Sequence, residues 1–228
     1  MNRITSIRFE LSGFCNHKNE HEFCPSSSIE ERTLSSDIIF KILVELPKDF
    51  SGDIGFHNYN EPLLDPRLYL ICSQVKALLP KSKIHIYSNG MFLDKVLVKE
   101  GIRNGVDKFF VTCYNSEVAS RLAGAFGVEM YPMKIDDRRD IYYLVEVNSD
   151  GRCSAPISQI IVNRFGDVTL CCLDWKNTVT FGNLYEQTFN DCFEKMESTY
   201  KSLIEGKREE DICKRCTRTR VKHEKVNI

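Results

Sequence analysis

"ITSIRFELSGFCNHKNEHEFCP", residues 4–25, holds a strand and a cluster of metal-binding side chains back to back. Ile7, Phe9 and Leu11 alternate with Arg8, Glu10 and Ser12, the period of two that buries one face of a β-strand. Straight after it come Cys15, His17, His21 and Cys24, with Pro25 closing the run. Thiol and imidazole groups this close together point to a metal.

Outward from this stretch, β-rich runs alternate with helical ones as far as about Tyr143. "DIGFHNYN", "KIHIYSN", "DKFFVTCYN" and "GVEMYPMKI" read as further strands. Between them "SSDIIFKILVEL", "RLYLICSQVKALL", "DKVLVKEGIRNG" and "SEVASRLAGAF" read as helices, with Ser35, Asp65, Asp94 and Ser116 placed to cap their first amides. Strict alternation implies parallel strands joined by helical crossovers. The region is short of the roughly 250 residues of a closed eight-fold barrel. The expected fold is therefore α/β, an open partial (β/α) barrel over residues 1–148, with its ligand site at the C-terminal ends of the strands. The Cys15–Cys24 run falls on that edge.

Residues 149–228 read as a small Cys-rich annex. "SQIIVNRFGDVTLCC" is a hairpin whose turn contains Gly166 and Asp167, and "NLYEQTFNDCFEKMESTYKSLIEG" is mostly helical. So small a unit needs a staple. Cys153, one of the Cys171–Cys172 pair, and the C-x2-C of Cys213 and Cys216 supply four thiolates, which suit structural zinc or an iron–sulfur cluster. Neighbouring strand residues face opposite ways, so Cys171 and Cys172 should not share a metal; Cys171 is preferred and Cys172 held in reserve. Cys72, Cys113 and Cys192 sit in periodic segments and read as small buried hydrophobes.

These residues resemble the radical S-adenosylmethionine (SAM) family with a C-terminal SPASM, or short twitch, domain. "FELSGFCNHKNEHEFCP" resembles that family's C-x3-C-x2-C strand-one motif, "HNYNEPLLDPRL" its Gly-Glu-Pro segment and "IHIYSNGMFLD" its Thr-Asn-Gly segment. "CSAPISQIIVNRFGDVTLCCLDWKNTVTFGNLYEQTF" with the later "CKRC" resembles the auxiliary-cluster domain, where Asp174 and Gly182-Asn183 recur with the cysteines. The resemblance implies two [4Fe–4S] clusters and SAM as cofactors. It implies reductive cleavage of SAM to a 5′-deoxyadenosyl radical, which takes hydrogen from a peptide or small-molecule substrate, a sugar or aminocyclitol, in a net oxidation. It places SAM at Asn60, Glu61, Ser88 and Asn89, the auxiliary cluster at Cys153, Cys171, Cys213 and Cys216, and the first cluster at Cys15 and Cys24. It also implies an electron donor such as flavodoxin or ferredoxin, and it assigns no catalytic side chain. Asn60 stands where the family usually has Gly, a position where Asn can take a positive φ.

The opening motif departs from the family pattern: it is C-x5-H-x2-C, and His21 stands at the spacing of the missing cysteine. His21 is taken as the third ligand and His17 ranked second. Imidazole in place of thiolate removes a negative charge and raises a cluster's potential. The alternatives are a degenerate relative that binds a cluster and acts as a partner protein, or structural zinc at Cys15, His17, His21 and Cys24.

The bulk composition, 42% hydrophobic and 28% charged, is ordinary for a soluble globular protein. Thirty-one Lys and Arg balance 32 Asp and Glu, a net charge of -1, so nothing draws the chain to nucleic acid or an anionic membrane. "MNRITSIRFELSG" lacks the apolar core of a signal peptide, and no apolar run reaches spanning length. A cytoplasmic place is expected, where ten cysteines serve metal or redox chemistry rather than disulfides. The charged run Asp136, Asp137, Arg138 and Arg139 reads as a solvated loop.

Overall fold

The computed structural model describes residues 3–17, 30–132 and 152–216. In chain order the elements are β1 (Ser6–Phe9), α1 (Ser36–Glu45), β2 (Asp53–Gly55), α2 (Leu68–Leu78), β3 (Lys83–Ser88), α3 (Lys95–Arg103), β4 (Lys108–Cys113), α4 (Ser116–Leu122) and β5 (Val128–Pro132). After them come α5 (Ala155–Ser158), β6 (Gln159–Val162), β7 (Asp167–Thr169), β8 (Thr180–Asn183), α6 (Phe189–Ile204) and α7 (Asp211–Arg215).

One open eight-stranded sheet runs in the order β5-β4-β3-β2-β1-β6-β7-β8. From β1 to β5 every pair is parallel, and each crossover steps one strand further in the same direction. Right-handed crossovers that never reverse put their helices on one face. Ile7, Phe9, Ile54, Ile84, Ile86, Phe109 and Val111 point to that face and are fully buried, with Ile39, Ile42, Leu43, Ile71 and Val75 of the helices. Each such side chain contributes about 1.5–3 kcal/mol by leaving water. The alternate residues line the other face, which no helix of this arm covers. His57, Tyr87, Phe110 and Tyr131 form a row of rings there, with centroids 4.3, 4.7 and 6.2 Å apart, and Arg8 lies over Tyr87.

The annex joins the same sheet. β6 lies parallel to β1, from Ser6 opposite Gln159 to Phe9 opposite Val162, and β7 and β8 follow antiparallel. Asn163 Oδ1 accepts from the amides of Phe165 and Asp167, and Gly166 takes φ 85° to close the hairpin. Asp167 opens β7 rather than sitting in the turn. α6 begins with a reciprocal cap between Thr188 and Asp191, and it packs on α5, β8 and α1.

Ser35 caps α1 and Asp94 caps α3, as their positions suggest. Two other caps differ. Asn115, not Ser116, accepts from the Val118 amide at the start of α4. Asp65 binds the backbone and guanidinium of Arg67 instead of capping α2. The expected fifth strand begins at Val128; residues of it past Pro132, the division at 148/149 and the run Asp136–Arg139 lie outside the described residues. Among the described residues no helix is long and apolar enough to cross a membrane.

Candidate functional site

At the C-terminal ends of β2 and β3, Glu61 is the organising side chain. It is buried, and both its carboxylate oxygens accept hydrogen bonds. Oε1 accepts from Ser88 Oγ at 2.8 Å and from the Leu63 amide at 3.1 Å, while Oε2 accepts from the Asn89 amide at 2.8 Å. Burial nevertheless outweighs these donors and pushes the Glu61 carboxyl above its ordinary range. Glu61 therefore ties the segment after β2 to the end of β3. Ser88 Oγ accepts from the Gly90 amide and Asn89 Oδ1 from the Met91 amide, which shapes the turn after β3. Gly90 takes φ 74°, and a Cβ there would lie 2.6 Å from Val111 Cγ1, so this turn needs glycine.

Asn60 does not use the conformational freedom expected of it. Among the described residues Asn177 alone, apart from glycines, has positive φ. The Asn60 side chain works instead: Oδ1 accepts from the Asn58 amide at 3.1 Å and Nδ2 donates to the Phe56 carbonyl at 3.1 Å. The turn is held by hydrogen bonds that a glycine could not make.

The loop that carries Cys15 lies across these strand ends. Phe14 O accepts from the Glu61 amide at 2.9 Å, after β2. Asn16 Oδ1 accepts from Asn89 Nδ2 at 2.7 Å, after β3. The His17 ring stacks on Tyr114, 4.6 Å between centroids, after β4. Phe14, Asn16 and His17 thus dock just after three successive strands and bring the Cys15 segment to the strand ends that carry Glu61 and Asn89. His21 and Cys24 lie outside the described residues.

In the annex, Cys153, Cys171, Cys213 and Cys216 line one cavity, walled by Leu170, Leu173 and Leu203. Cys172 is not among its lining. It is buried in a small cluster with Ile161 and Leu173, against which Cys171 and Cys216 pack. Arg208 Nη1 donates to the carbonyls of Cys213 (3.0 Å) and Cys216 and so holds the C-x2-C turn. The Ala155 amide points at Cys153 Sγ, 3.5 Å away, a donor that suits a thiolate. Burial, and then the neighbouring Cys153 and Cys216, push the Cys213 thiol up to about 12. Among the described residues no group of three or more Cys, His, Asp or Glu side chains closes on a point that one ion could fill. Four thiols ringing a mostly apolar cavity fit a polynuclear cluster better than a lone zinc ion.

Comparison with known proteins agrees with this geometry. Residues 153–217 match the family model SPASM, an iron–sulfur cluster-binding domain. The chain is 29% identical, over 97% of its length and 96% of the relative's, to the S-adenosyl-L-methionine-dependent 2-deoxy-scyllo-inosamine dehydrogenase of Niallia circulans. Its structure is similar to the crystal structure of BtrN in complex with AdoMet and 2-DOIA, with a TM-score of 0.79, 28% identity, and coverage of 94% and 93% of the two chains. The structure of anSMEcpe with bound AdoMet shares the fold at a TM-score of 0.54 and 11% identity, over 87% of this chain and 83% of that one. The chain is thus similar over nearly its whole length to radical SAM enzymes, and its residues 153–217 match the SPASM domain.

The sequence pointed to Glu61, Ser88, Asn89 and the four annex thiols, and the structure brings each of these two sets together. It gave no sign of the docking of Asn16 on Asn89, or of His17 on Tyr114. Nor did it show that Tyr59, a member of the Gly-Glu-Pro-like segment, donates its hydroxyl to the Cys172 carbonyl and so links the segment after β2 to the annex. An aromatic residue two positions before a buried acid is too common a pattern to single out.

Proposed function

We propose that this chain oxidises a small hydroxylated ring compound, an aminocyclitol or sugar, by SAM-dependent radical chemistry. An iron–sulfur cluster held beside SAM would supply the electron that cleaves the sulfonium, and with it the means of taking hydrogen from the substrate carbon. Cys15, His21 and Cys24 are the proposed protein ligands of that first cluster. Asn60, Glu61, Ser88 and Asn89 shape the SAM seat, Glu61 by holding the two strand ends in register rather than by touching SAM. Cys153, Cys171, Cys213 and Cys216 hold the second cluster, which has no spare corner for substrate and so serves to take up or relay an electron. The row of rings on the open sheet face offers flat apolar surfaces to a ring substrate, with Arg8 beside them. An external reductant of the flavodoxin or ferredoxin class, and a cytoplasmic setting, complete the reading.

The observation that carries it is the docking of Phe14, Asn16 and His17 on three strand ends, which brings the Cys15 segment to the strand ends that carry Glu61 and Asn89. The relative's named activity supports the choice of substrate class. The test is 5′-deoxyadenosine formation by anaerobically reconstituted protein, with 2-deoxy-scyllo-inosamine deuterated at its carbinol carbon as the first substrate. Deuterium in the 5′-deoxyadenosine supports the reading. No 5′-deoxyadenosine from protein with full iron would favour a binding role. Replacing His21 with Cys should lower the first cluster's potential by on the order of 100 mV, because thiolate brings a charge that imidazole lacks; an unchanged potential removes His21 from the ligand set.

A further inference from the structure

Among the described residues the most deeply buried ion pair joins the first strand to the annex. Glu10, at the end of β1, meets Arg164 of the β6–β7 turn, Nη1 to Oε2 at 3.0 Å, with the two side chains only 1% and 6% exposed. Burial raises the Glu10 carboxyl above its ordinary range and Arg164 opposes that rise. Two charges taken this far from water bring little net stability, so their geometry is the more informative feature.

That geometry converges on the limb by which the Cys15 loop returns to the body. Arg164 Nε donates to the Glu30 carbonyl at 2.7 Å, while Nη1 serves Glu10. The opposite carboxylate oxygen, Glu10 Oε1, accepts from the Tyr59 amide, where the segment leading to Glu61 begins. Phe165, next in the same turn, takes the Arg32 guanidinium over its ring at 5.2 Å and that of Arg164 at 4.4 Å. Gly13 lies on the other side of the same Glu30 carbonyl. A Cβ on Gly13 would sit 2.1 Å from that oxygen, and the Gly13 amide donates to Arg32 O at 2.9 Å. Both limbs of the loop are thus pinched together, and the annex turn grips the pinch.

We infer that Arg164 and Phe165 form a clamp on the stem of the N-terminal cysteine loop, and that Arg164 is a positioning residue for the strand-end site. The second half of this inference rests on the proposed function. The guanidinium serves Glu10 and Glu30 through two nitrogens of one rigid fork; a shorter lysine can neutralise Glu10 but would have to reach both oxygens from a single nitrogen. Arg164→Lys therefore separates charge compensation from clamping.

The experiment measures amide exchange and SAM affinity on iron-loaded wild type and Arg164→Lys. Exchange at the stem amides of Gly13 and Leu34 should be about ten-fold faster in the variant, with Ile161 and Val168 of the hairpin unchanged as internal reference. SAM binding by calorimetry should weaken about ten-fold at an unchanged iron content. Should the lysine variant not fold, the neutral pair Glu10→Gln/Arg164→Gln is read in the same way. Wild-type protection at Gly13 and Leu34 in the folded variant overturns the clamp. A loosened stem with unaltered SAM affinity keeps the clamp and overturns the positioning role. A wild type that binds no SAM sinks the proposed function instead and leaves stem exchange to decide the clamp.

Discussion

Cys15 reaches its place on a single loop whose residues Phe14, Asn16 and His17 lie on three strand ends, whereas Cys153, Cys171, Cys213 and Cys216 come from separate segments and meet in one cavity. The loop site borrows its rigidity from a sheet whose core is already dense. The annex shares that core through Ile160, Val168, Leu184 and Met196, but its thiols Cys153, Cys171 and Cys213 are only partly buried against it. Its short strands and the five-residue α7 surround a space that thiols line but do not fill. The difference teaches where each site's stability comes from: the scaffold for the first, the bound group for the second.

The sharpest way to break this contrast is Cys213→Ala. It should remove about four irons per chain and loosen α7 and the cavity wall while leaving β1 to β5 folded. Iron analysis with circular dichroism and hydrogen exchange reads both halves. Equal loss of protection in both would mean the scaffold is not independent.

Glu61→Gln comes next, on the scaffold side. The amide can replace Oε1 but turns an N–H toward the Asn89 amide, so SAM affinity should fall about ten-fold. The variant also changes the response to pH. Below the reference value of 4.5 the Glu61 carboxyl is neutral in the folded and unfolded chain alike. Burial raises its folded-state value, so the folded chain binds the extra proton, and stability falls as pH rises through the window above 4.5. Glutamine removes that part of the slope. Glu10 is raised for the same reason and keeps a remainder. Urea midpoints from about pH 4 to 7 measure it, and a slope equal to wild type would refute the assignment.

Smaller effects separate neighbours. Cys172→Ala should keep every iron and cost on the order of 1 kcal/mol, since Cys172 packs on Ile161 outside the cavity lining; iron loss would promote Cys172 over Cys171. Tyr59→Phe removes only the hydroxyl that donates to the Cys172 carbonyl. About 1 kcal/mol of stability should go, with iron and SAM binding intact. A change in the second cluster's paramagnetic resonance spectrum would show that the two halves are more tightly joined than the comparison holds.

The sequence exposed what repeats locally and hid what depends on contact. Periodicity revealed strands from Ser6 to Val128, because one face of each must be apolar. The C-x2-C and the hairpin pointed to the thiol set that lines the cavity. Of Cys171 and Cys172 only Cys171 lines the cavity, but both lie past the end of β7, so the strand alternation used to separate them does not apply there. Asn115 replaced Ser116 as the cap because either side chain can accept from a first-turn amide, and backbone geometry decides between them. Glu10 and Arg164 were invisible as a pair. In sequence they are ordinary surface residue types, and only the parallel pairing of β6 with β1 buries one against the other.

That pairing bears on how the chain is made. Of the strands in this sheet β1 leaves the ribosome first, yet it lies inside the sheet, between β2 and β6. Its β2 side can be satisfied as soon as Asp53–Gly55 emerge, but its other row of amides and carbonyls has no partner until Gln159–Val162 are synthesised. For most of translation the nascent protein therefore presents an open, apolar strand edge, the surface most prone to pair with a foreign strand. The annex, besides housing its own thiols, is the piece that closes this edge, and truncation before β6 should leave a polypeptide that aggregates rather than a smaller soluble barrel.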